Sequence, residues 1–177
     1  MIIAREKRKT NIAEFILYMW QIEDVVRAAK FNMEKIDQII VQKYQQPPEV
    51  IDEIKEWYNS LILVMKQEGI EQKGHLNFVQ NIISDLDHLH QRLLRNPDEK
   101  KYQAIYKVAK PNIDLLISKS LETATNDIEA SLTGMYGYLL MKLRNREIFK
   151  ETQDAMTTIS NMLALLSKKF KDIEEGK

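Results

Sequence analysis

Residues Lys7–Arg27 read Lys-Arg-Lys-Thr-Asn-Ile-Ala-Glu-Phe-Ile-Leu-Tyr-Met-Trp-Gln-Ile-Glu-Asp-Val-Val-Arg, a stretch that begins basic and becomes strongly apolar. Its apolar residues recur at steps of three and four, and the regularly spaced ones are Ile12, Phe15, Ile16, Met19, Ile22 and Val26. This spacing places them on one side of an α-helix, so a broad stripe of that helix must be buried against other elements. The stretch therefore predicts a core built from helices.

Prolines, glycines and capping residues divide the chain into about six predicted helical segments. The segments are Ile3–Ala29, a segment from Asn32 to Gln46, Pro48–Gly69, His75–Arg95, a segment from Asn96 to Arg144, and Phe149–Glu174. Pro111 breaks or kinks the fifth segment, after which apolar positions that include Leu121 and Leu132 resume the helical spacing. No segment combines strand-type alternation with hairpin turn signals. We predict an all-α fold, a single-domain bundle of about six helices over residues 1–177.

Composition and charge exclude several classes of protein. The 177 residues are 44% hydrophobic and 29% charged, which is typical of a soluble globular domain. Lys plus Arg and Asp plus Glu number 26 each, so no global field attracts nucleic acid or an anionic membrane. Cysteine is absent, which excludes disulfides and thiolate metal sites. The apolar run Phe15–Trp20 is far shorter than the roughly 20 residues of a membrane span, and we expect a cytoplasmic protein without membrane contacts.

Four strings in this sequence are similar to those of a known family. They are Lys7–Arg27, Gly74-His75-Leu76-Asn77-Phe78-Val79, Asp85-Leu86-Asp87-His88-Leu89-His90 and Leu132-Thr133-Gly134-Met135-Tyr136-Gly137. Through them the chain resembles, from Ile2 to about Phe170, a family of all-helical proteins from Bacteroidetes known as domain of unknown function 4924. The resemblance implies a helical fold. It implies no activity, catalytic residue or cofactor, and we predict no cofactor.

Asp85, Asp87, His88 and His90 form the grouping closest to a metal site. On a helix each aspartate pairs with the histidine three residues later, and carboxylate plus imidazole binds zinc or iron. His88 and His90, however, lie about 160° apart around a helix, and a di-iron bundle needs a matching Glu-x-x-His on another helix. The alternative is that His90 lies at the edge of the core while Asp85 and His88 form a surface pair.

Glu23 lies on the flank of the apolar stripe, next to Asp24 and shortly after Tyr18 and Trp20. We expect it to be partly buried, where its pKa would rise enough for acid or base chemistry. The alternative is a structural salt bridge to Arg27, four residues later.

Gly134 and Gly137 lie in a predicted helix that also carries Tyr136 and Tyr138. Glycine inside a helix costs about 1 kcal/mol relative to alanine, so some contact should compensate for it. A ligand pocket walled by the tyrosines, the close approach of a neighbouring helix, or a kink would each do so. The candidate ligand-binding residues are Glu23, Arg27, Tyr136 and Tyr138.

Arg5, Lys7, Arg8 and Lys9 form a basic cluster that is suited to binding an anion such as phosphate. They lie at the start of the first predicted helix, whose positive end disfavours basic residues, and this misfit points to an anionic partner. The alternative is a solvated face. Nucleic acid is not expected as a partner, because the chain is neutral and has no recognition-helix motif.

These patterns predict a non-enzymatic protein that acts through protein contacts, including those of a homodimer. The third predicted helix favours the homodimer because its apolar residues cover more than one face; they are Trp57, Tyr58, Leu61, Ile62 and Leu63. A second hypothesis is a bundle that binds a small molecule or a metal, with a catalytic role left open. It requires at least three of the following to converge in one site: Glu23, Asp85, Asp87, His88 and His90. A third hypothesis is an anion or nucleic-acid binder that uses the basic N-terminus.

Overall fold

Helices make up the regular secondary structure in the computed structural model of the chain, which describes residues 1–119 and 124–177. They are α1 Ile2–Thr10, α2 Ile12–Ala28, α3 Met33–Ile39, α4 Pro48–Gln67, α5 Asn77–Arg95, α6 Lys100–Lys119, α7 Asp127–Leu143 and α8 Lys150–Glu174, with a 3₁₀ turn at Val41–Lys43. The described residues contain no strand. The predicted all-α class is confirmed, but the predicted number of about six helices is too low, because two predicted segments are each divided into two helices.

The first division is at Asn11, so the single helix predicted over Ile3–Ala29 is wrong. Asn11 is extended, with φ −153° and ψ 105°, and its side chain accepts hydrogen bonds from the backbone N–H groups of Ala13 and Glu14. An asparagine side chain satisfies the first free N–H groups of a helix well, so a new helix begins at Ile12. The basic residues that precede Asn11 consequently belong to the short helix α1.

The second division separates α6 from α7. Helix α6 continues through Pro111, and the buried residues Ala109 and Ile113 anchor it on both sides of the proline. Helix α7 begins at Asp127 after Asn126, whose side chain accepts from the Glu129 N–H. The predicted continuous helix to Arg144 is therefore wrong, and the predicted apolar position Leu121 lies outside the described residues.

The core is centred on α2. All six predicted stripe residues are buried, and Ile16 and Val26 are completely inaccessible, so the stripe is confirmed. Helix α2 packs against α1, α7 and α8, while α6 makes its most extensive contact with α8. Full burial of an apolar side chain of this size contributes about 1.5–3 kcal/mol, so α2 is a principal source of the stability of the fold.

Helix α4 ends as the sequence predicts, and the loop after it shapes the candidate site. Gly69 has φ +68°, and the Ile70 N–H donates to the Met65 carbonyl, which closes the helix with a left-handed glycine. The next helix begins at Asn77 rather than at His75, so His75 belongs to the connecting loop. The α4–α5 loop thus carries a histidine whose position the helical pattern does not fix.

The apolar residues of α4 are covered mainly by this chain itself. Tyr58, Leu61 and Ile62 are buried, and Trp57 is half-buried with its ring edge against Tyr58. Leu63 alone among the five predicted residues is exposed, with 60% of its surface accessible. The homodimer remains a prediction, but α4 offers one exposed apolar side chain rather than an apolar face.

Candidate functional site

Glu23 is a completely buried carboxylate held by the loop that precedes α5. Its Oε1 accepts a hydrogen bond of 3.0 Å from the Leu76 N–H, and its Oε2 lies 2.6 Å from Nδ1 of His75. Leu76 is the N-cap residue of α5 and supplies no side-chain cap, so carboxylates from elsewhere serve this helix end: Glu23 binds Leu76, and Glu68 binds the Asn77 N–H. The positive end of α5 stabilises the buried negative charge, which explains why a carboxylate is tolerated in the core.

Arg27 fastens the same loop one turn further along α2. Its Nε donates to the Ile70 carbonyl at 3.3 Å, one terminal nitrogen donates to the Gly74 carbonyl, and the other donates to Asp24 at 3.2 Å. It also lies 3.9 Å from Oε2 of Glu23, so the predicted i, i+4 salt bridge is confirmed, and the burial of Glu23 is complete rather than partial. Arg27 and Glu23 together act as a clamp between α2 and the α4–α5 loop.

Aromatic side chains pack around the imidazole of His75. The Trp20 and His75 rings are stacked with centroids 4.4 Å apart, and Tyr136 of α7 meets Trp20 edge-on at 5.5 Å. The Tyr136 hydroxyl donates to Asp24 at 2.6 Å. Burial, followed by this hydrogen bond, raises the pKa of Tyr136, so the phenol stays protonated and remains a donor. We call Trp20, Glu23, Asp24, Arg27, His75 and Tyr136 the His75 cluster.

The cluster leaves one ring nitrogen of His75 available for chemistry. The carboxylate of Glu23 accepts a hydrogen bond at Oε2 from an Nδ1–H, so the tautomer of His75 that carries its proton on Nδ1 directs the lone pair of Nε2 away from Glu23. The His75 side chain is 30% exposed, and no hydroxyl of the described residues is hydrogen-bonded to it. The arrangement is a carboxylate–imidazole pair without a hydroxyl nucleophile. Asp24, Arg27 and Tyr136 are hydrogen-bonded within the chain, whereas the buried indole N–H of Trp20 has no hydrogen-bond partner among the described residues.

Three of the four predicted ligand-binding residues meet in this cluster: Glu23, Arg27 and Tyr136. Tyr138 does not, because its ring faces Lys142, whose Nζ lies 4.3 Å from the ring centroid. The glycines beside these tyrosines have different environments. A Cβ on Gly134 would clash with the Leu116 side chain of α6, which confirms close helix approach there, whereas a Cβ on Gly137 would have nothing within 4 Å.

The predicted metal ligands on α5 point to different environments. Asp85 and His88 are exposed, whereas His90 is completely buried. Glu23, for its part, binds His75 and not the α5 histidines. Within residues 1–119 and 124–177, no three His, Cys, Asp or Glu side chains form a group that could hold a metal ion.

His90 belongs to a polar network inside the bundle. Its Nδ1 lies 2.6 Å from the Tyr102 hydroxyl, and its ring meets Tyr106 edge-on at 4.7 Å. The Tyr106 hydroxyl donates to Asp127 of α7 at 2.5 Å. Burial lowers the pKa of His90 and raises the pKa of Tyr106 to about 12, so both groups are neutral near pH 7. This network ties α5, α6 and α7 together through hydrogen bonds.

The basic N-terminal residues lie at a different helix position, and make different contacts, from those that the sequence predicts. Lys7, Arg8 and Lys9 form the last turn of α1, where the negative helix end favours cations, so the predicted misfit is wrong. Lys7 pairs with Glu14 at 2.9 Å, and Arg8 makes two hydrogen bonds to Glu174 of α8. Arg5 and Lys9 are exposed. The structure thus accounts for two of the four cations as local ion pairs.

An apolar groove lies between α6 and α8, on a surface that the sequence analysis did not single out. Its volume is about 510 Å³, and its lining includes Ala104, Ile105, Val108, Asn161, Ala164 and Leu165. Val108 is 62% exposed, and Leu115, further along α6, is 49% exposed. The sequence signal is a second stripe on α6, in which Ala104, Val108 and Leu115 recur at helical spacing, about 120° around the helix from its buried residues.

His75 is the residue of the candidate site that the helical pattern missed. The position of Glu23 within an apolar stripe indicates that another part of the chain supplies hydrogen-bond donors to it, because a buried carboxylate needs them. The sequence does not identify that partner, which is 52 residues away along the chain. Only the packing of the α4–α5 loop onto α2 joins the two.

None of the described helices is both long and apolar enough to cross a membrane. Comparisons with curated proteins and with solved structures found no match to this chain. The model of one protein family matches residues 1–177, the whole chain. The chain belongs to the family described as domain of unknown function DUF4924.

Proposed function

We propose that the chain is a non-catalytic interaction protein whose binding surface is the groove between α6 and α8. The observation that carries the proposal is the exposure of Val108 and Leu115, at 62% and 49%, beside a groove of about 510 Å³. Contiguous apolar surface with a polar rim marks interaction sites in soluble proteins, since water solvates it poorly.

The shape of the groove favours a protein partner. Two helices line it, and side-chain ridges of a partner helix fit between such rows. Ala104 and Ala164 leave space on its two walls, and its lining includes the exposed polar residue Asn161. Val108 and Leu115 are exposed in the single chain, so a partner that buries them would stabilise the complex by removing their apolar surface from water.

The two other hypotheses have less support. In the His75 cluster, the chain binds both oxygens of Glu23 and the guanidinium of Arg27, which leaves Nε2 of His75 and the buried indole N–H of Trp20 for a ligand. In the basic N-terminus, Lys7 and Arg8 already have carboxylate partners. Each of these sites therefore offers fewer free groups than a specific ligand requires, whereas the groove offers a whole apolar surface.

Site-specific photo-cross-linking in the cells that produce the protein tests this proposal. A photoreactive amino acid replaces Val108, and a control carries it at Leu63, which is equally exposed on α4. We expect a cross-linked partner identified by peptide mass from position 108, none from position 63, and loss of the product with Ala164→Glu. Absence of a product at position 108, or the same products at both positions, would contradict the proposal.

A further inference from the structure

We infer that Nε2 of His75 is a modification site that accepts a phosphoryl group from an acyl phosphate, either a small molecule or the phosphoaspartate of another protein. The inference is carried by the environment of the two ring nitrogens and by the fixed orientation of the ring. It is independent of the α6/α8 groove. A covalent group requires one nucleophilic atom, whereas a specific non-covalent ligand requires several free groups.

Nε2 is the nitrogen of His75 that a reactant can reach. Nδ1 lies 2.6 Å from Oε2 of Glu23, a carboxylate with no accessible surface, so this edge of the ring faces the interior. The His75 side chain is nevertheless 30% exposed. Its Nε2 has no hydrogen-bond partner in the described part of the chain and is not buried, in contrast to Nε2 of His90. A reactant in solution therefore reaches His75 and not His90.

The ring of His75 is held in one orientation. Trp20 stacks on it with the ring centroids 4.4 Å apart. The loop that carries it is fastened by Arg27, which donates to the Ile70 carbonyl at 3.3 Å and to the Gly74 carbonyl. A nucleophile that is already oriented reacts faster, because less rotational freedom is lost on reaching the transition state.

Glu23 suits the neutral ring to attack on phosphorus. The lone pair of Nε2 forms the P–N bond while the bond between phosphorus and the acyl oxygen breaks, and that electron pair leaves with the carboxylate product. The proton on Nδ1 stays in place and donates to Glu23. The ring becomes positively charged in this step, and the buried carboxylate beside Nδ1 stabilises that charge.

The surroundings of His75 favour a phosphoryl group over an acyl group. Acyl transfer depends on donors placed at a developing oxyanion, whereas phosphoryl transfer depends mainly on positioning and on positive charge near the phosphoryl oxygens. His75 precedes α5 by two residues, so it lies at the positive end of this helix, where anions are favoured. Lys73, exposed two residues before His75 in the same loop, supplies a further positive charge.

Treatment of the purified full chain with acetyl phosphate tests the inference. Peptide mass mapping above neutral pH, where a P–N bond survives, gives the rate of phosphorylation at each histidine. His88 is the matched control, because it is exposed on α5 and, among the described residues, forms no ion pair of the kind that His75 forms with Glu23. We expect His75 to react about tenfold or more faster than His88, and His90 not to react. Phosphorus NMR should place the group on Nε2. Equal rates at His75 and His88, or a product on Nδ1, would overturn the inference.

Glu23→Gln tests Glu23 as a positioning residue. Glutamine keeps an acceptor for the Nδ1–H but removes the negative charge that stabilises the charged ring. A carboxylate bonded to the second nitrogen of a metal-binding histidine changes affinity or activity about 10–100-fold, so phosphorylation of His75 should slow by about tenfold or more. The rate at His88 and the helical circular dichroism should stay as in the wild type. An unchanged rate at His75 would overturn the inference, and the comparison of His75 with His88 in the wild type does not depend on this variant.

The same mapping of the chain taken directly from the cells that produce it identifies the source of the phosphoryl group. Phosphorylation by acetyl phosphate alone indicates a small donor, whereas phosphate on His75 in the cell-derived chain alone indicates a protein donor. Phosphate on His75 in neither sample would overturn the inference. Cross-linking at position 108 tests the α6/α8 groove separately, so either proposal can fail while the other stands.

Discussion

Replacement of Glu23 by alanine is a substitution for which the structure predicts a large loss of stability. Glu23 has no accessible surface, and it accepts hydrogen bonds at both carboxylate oxygens from the α4–α5 loop. In Glu23→Ala the Leu76 N–H at the start of α5 loses its partner, and Arg27 loses a buried counter-charge at 3.9 Å. The substitution also leaves a cavity of several heavy atoms beneath the stacked Trp20 and His75 rings.

The magnitude follows from these losses. Removing one partner of a buried ion pair costs roughly 3–5 kcal/mol. Arg27 lies 3.9 Å from Glu23 without a hydrogen bond, and the His75 side chain is 30% exposed, so Glu23→Ala should lower the free energy of unfolding by about 3 kcal/mol, the lower end of that range. Glu23→Gln keeps the shape and allows neutral hydrogen bonds to Leu76 and His75. Charge-assisted bonds exceed neutral ones by about 1 kcal/mol each, and desolvation of the amide costs less, so Glu23→Gln should cost about 1–2 kcal/mol.

Urea unfolding at neutral pH, followed by circular dichroism and tryptophan fluorescence, measures these differences. Glu14→Ala is the matched control, because Glu14 lies on the same helix and forms an ion pair with Lys7 but is 57% exposed. An exposed pair contributes about 0–1 kcal/mol, so the control should change little. A loss below about 1 kcal/mol for Glu23→Ala, or equal losses for Glu23→Ala and Glu14→Ala, would refute the reasoning that Glu23 clamps the loop.

Two further predictions concern the interior of the bundle. Gly137→Ala should raise the free energy of unfolding by up to about 1 kcal/mol through helix propensity, whereas Gly134→Ala should lower it by about 1 kcal/mol because the Leu116 side chain must shift. Equal effects of these two substitutions in urea unfolding would rule out the close approach. Burial lowers the pKa of His90 from its ordinary value of 6.5, so below that pH the unfolded chain binds a proton that the folded chain does not. Stability should therefore fall as pH falls from about 6.5 towards the folded pKa, by at most about 1.4 kcal/mol per pH unit, and His90→Gln should remove that part of the slope. Urea midpoints of both proteins at several pH values in this range measure it, and identical slopes would contradict the assignment.

Local signals in the sequence identified several helix ends. Gly69 stops α4 through its left-handed conformation, and Pro48 begins the same helix as predicted. Asn11 gives a weaker signal of a helix end, because the apolar spacing on both sides of it is compatible with one long helix. The hydrogen bonds from Ala13 and Glu14 to its side chain end that continuity. An asparagine cap stabilises a new helix start by only about 1 kcal/mol, so the sequence alone does not decide between one long helix and two shorter ones. The packing of α1 on α2 decides it.

The candidate site was predicted in part. The position of Glu23 on an apolar stripe indicated its burial, and its spacing from Arg27 indicated their pairing, since both follow from helix geometry. The contacts with His75 and Tyr136 depend on how a loop and α7 fold back on α2, and no periodicity encodes them. The α6/α8 groove likewise exists because two helices far apart in the sequence pack side by side and leave Val108 uncovered.

The sequence by itself determined the helical class, the buried stripe of α2 and the end of α4, because these depend on interactions among residues a few positions apart. The tertiary structure decided which donors satisfy Glu23, which of the α5 histidines is buried and which apolar residues of α6 remain exposed. The physical reason is that burial of a side chain depends on the neighbours that reach it through space. Those neighbours lie tens of residues away, and only the packed arrangement of helices brings them into contact.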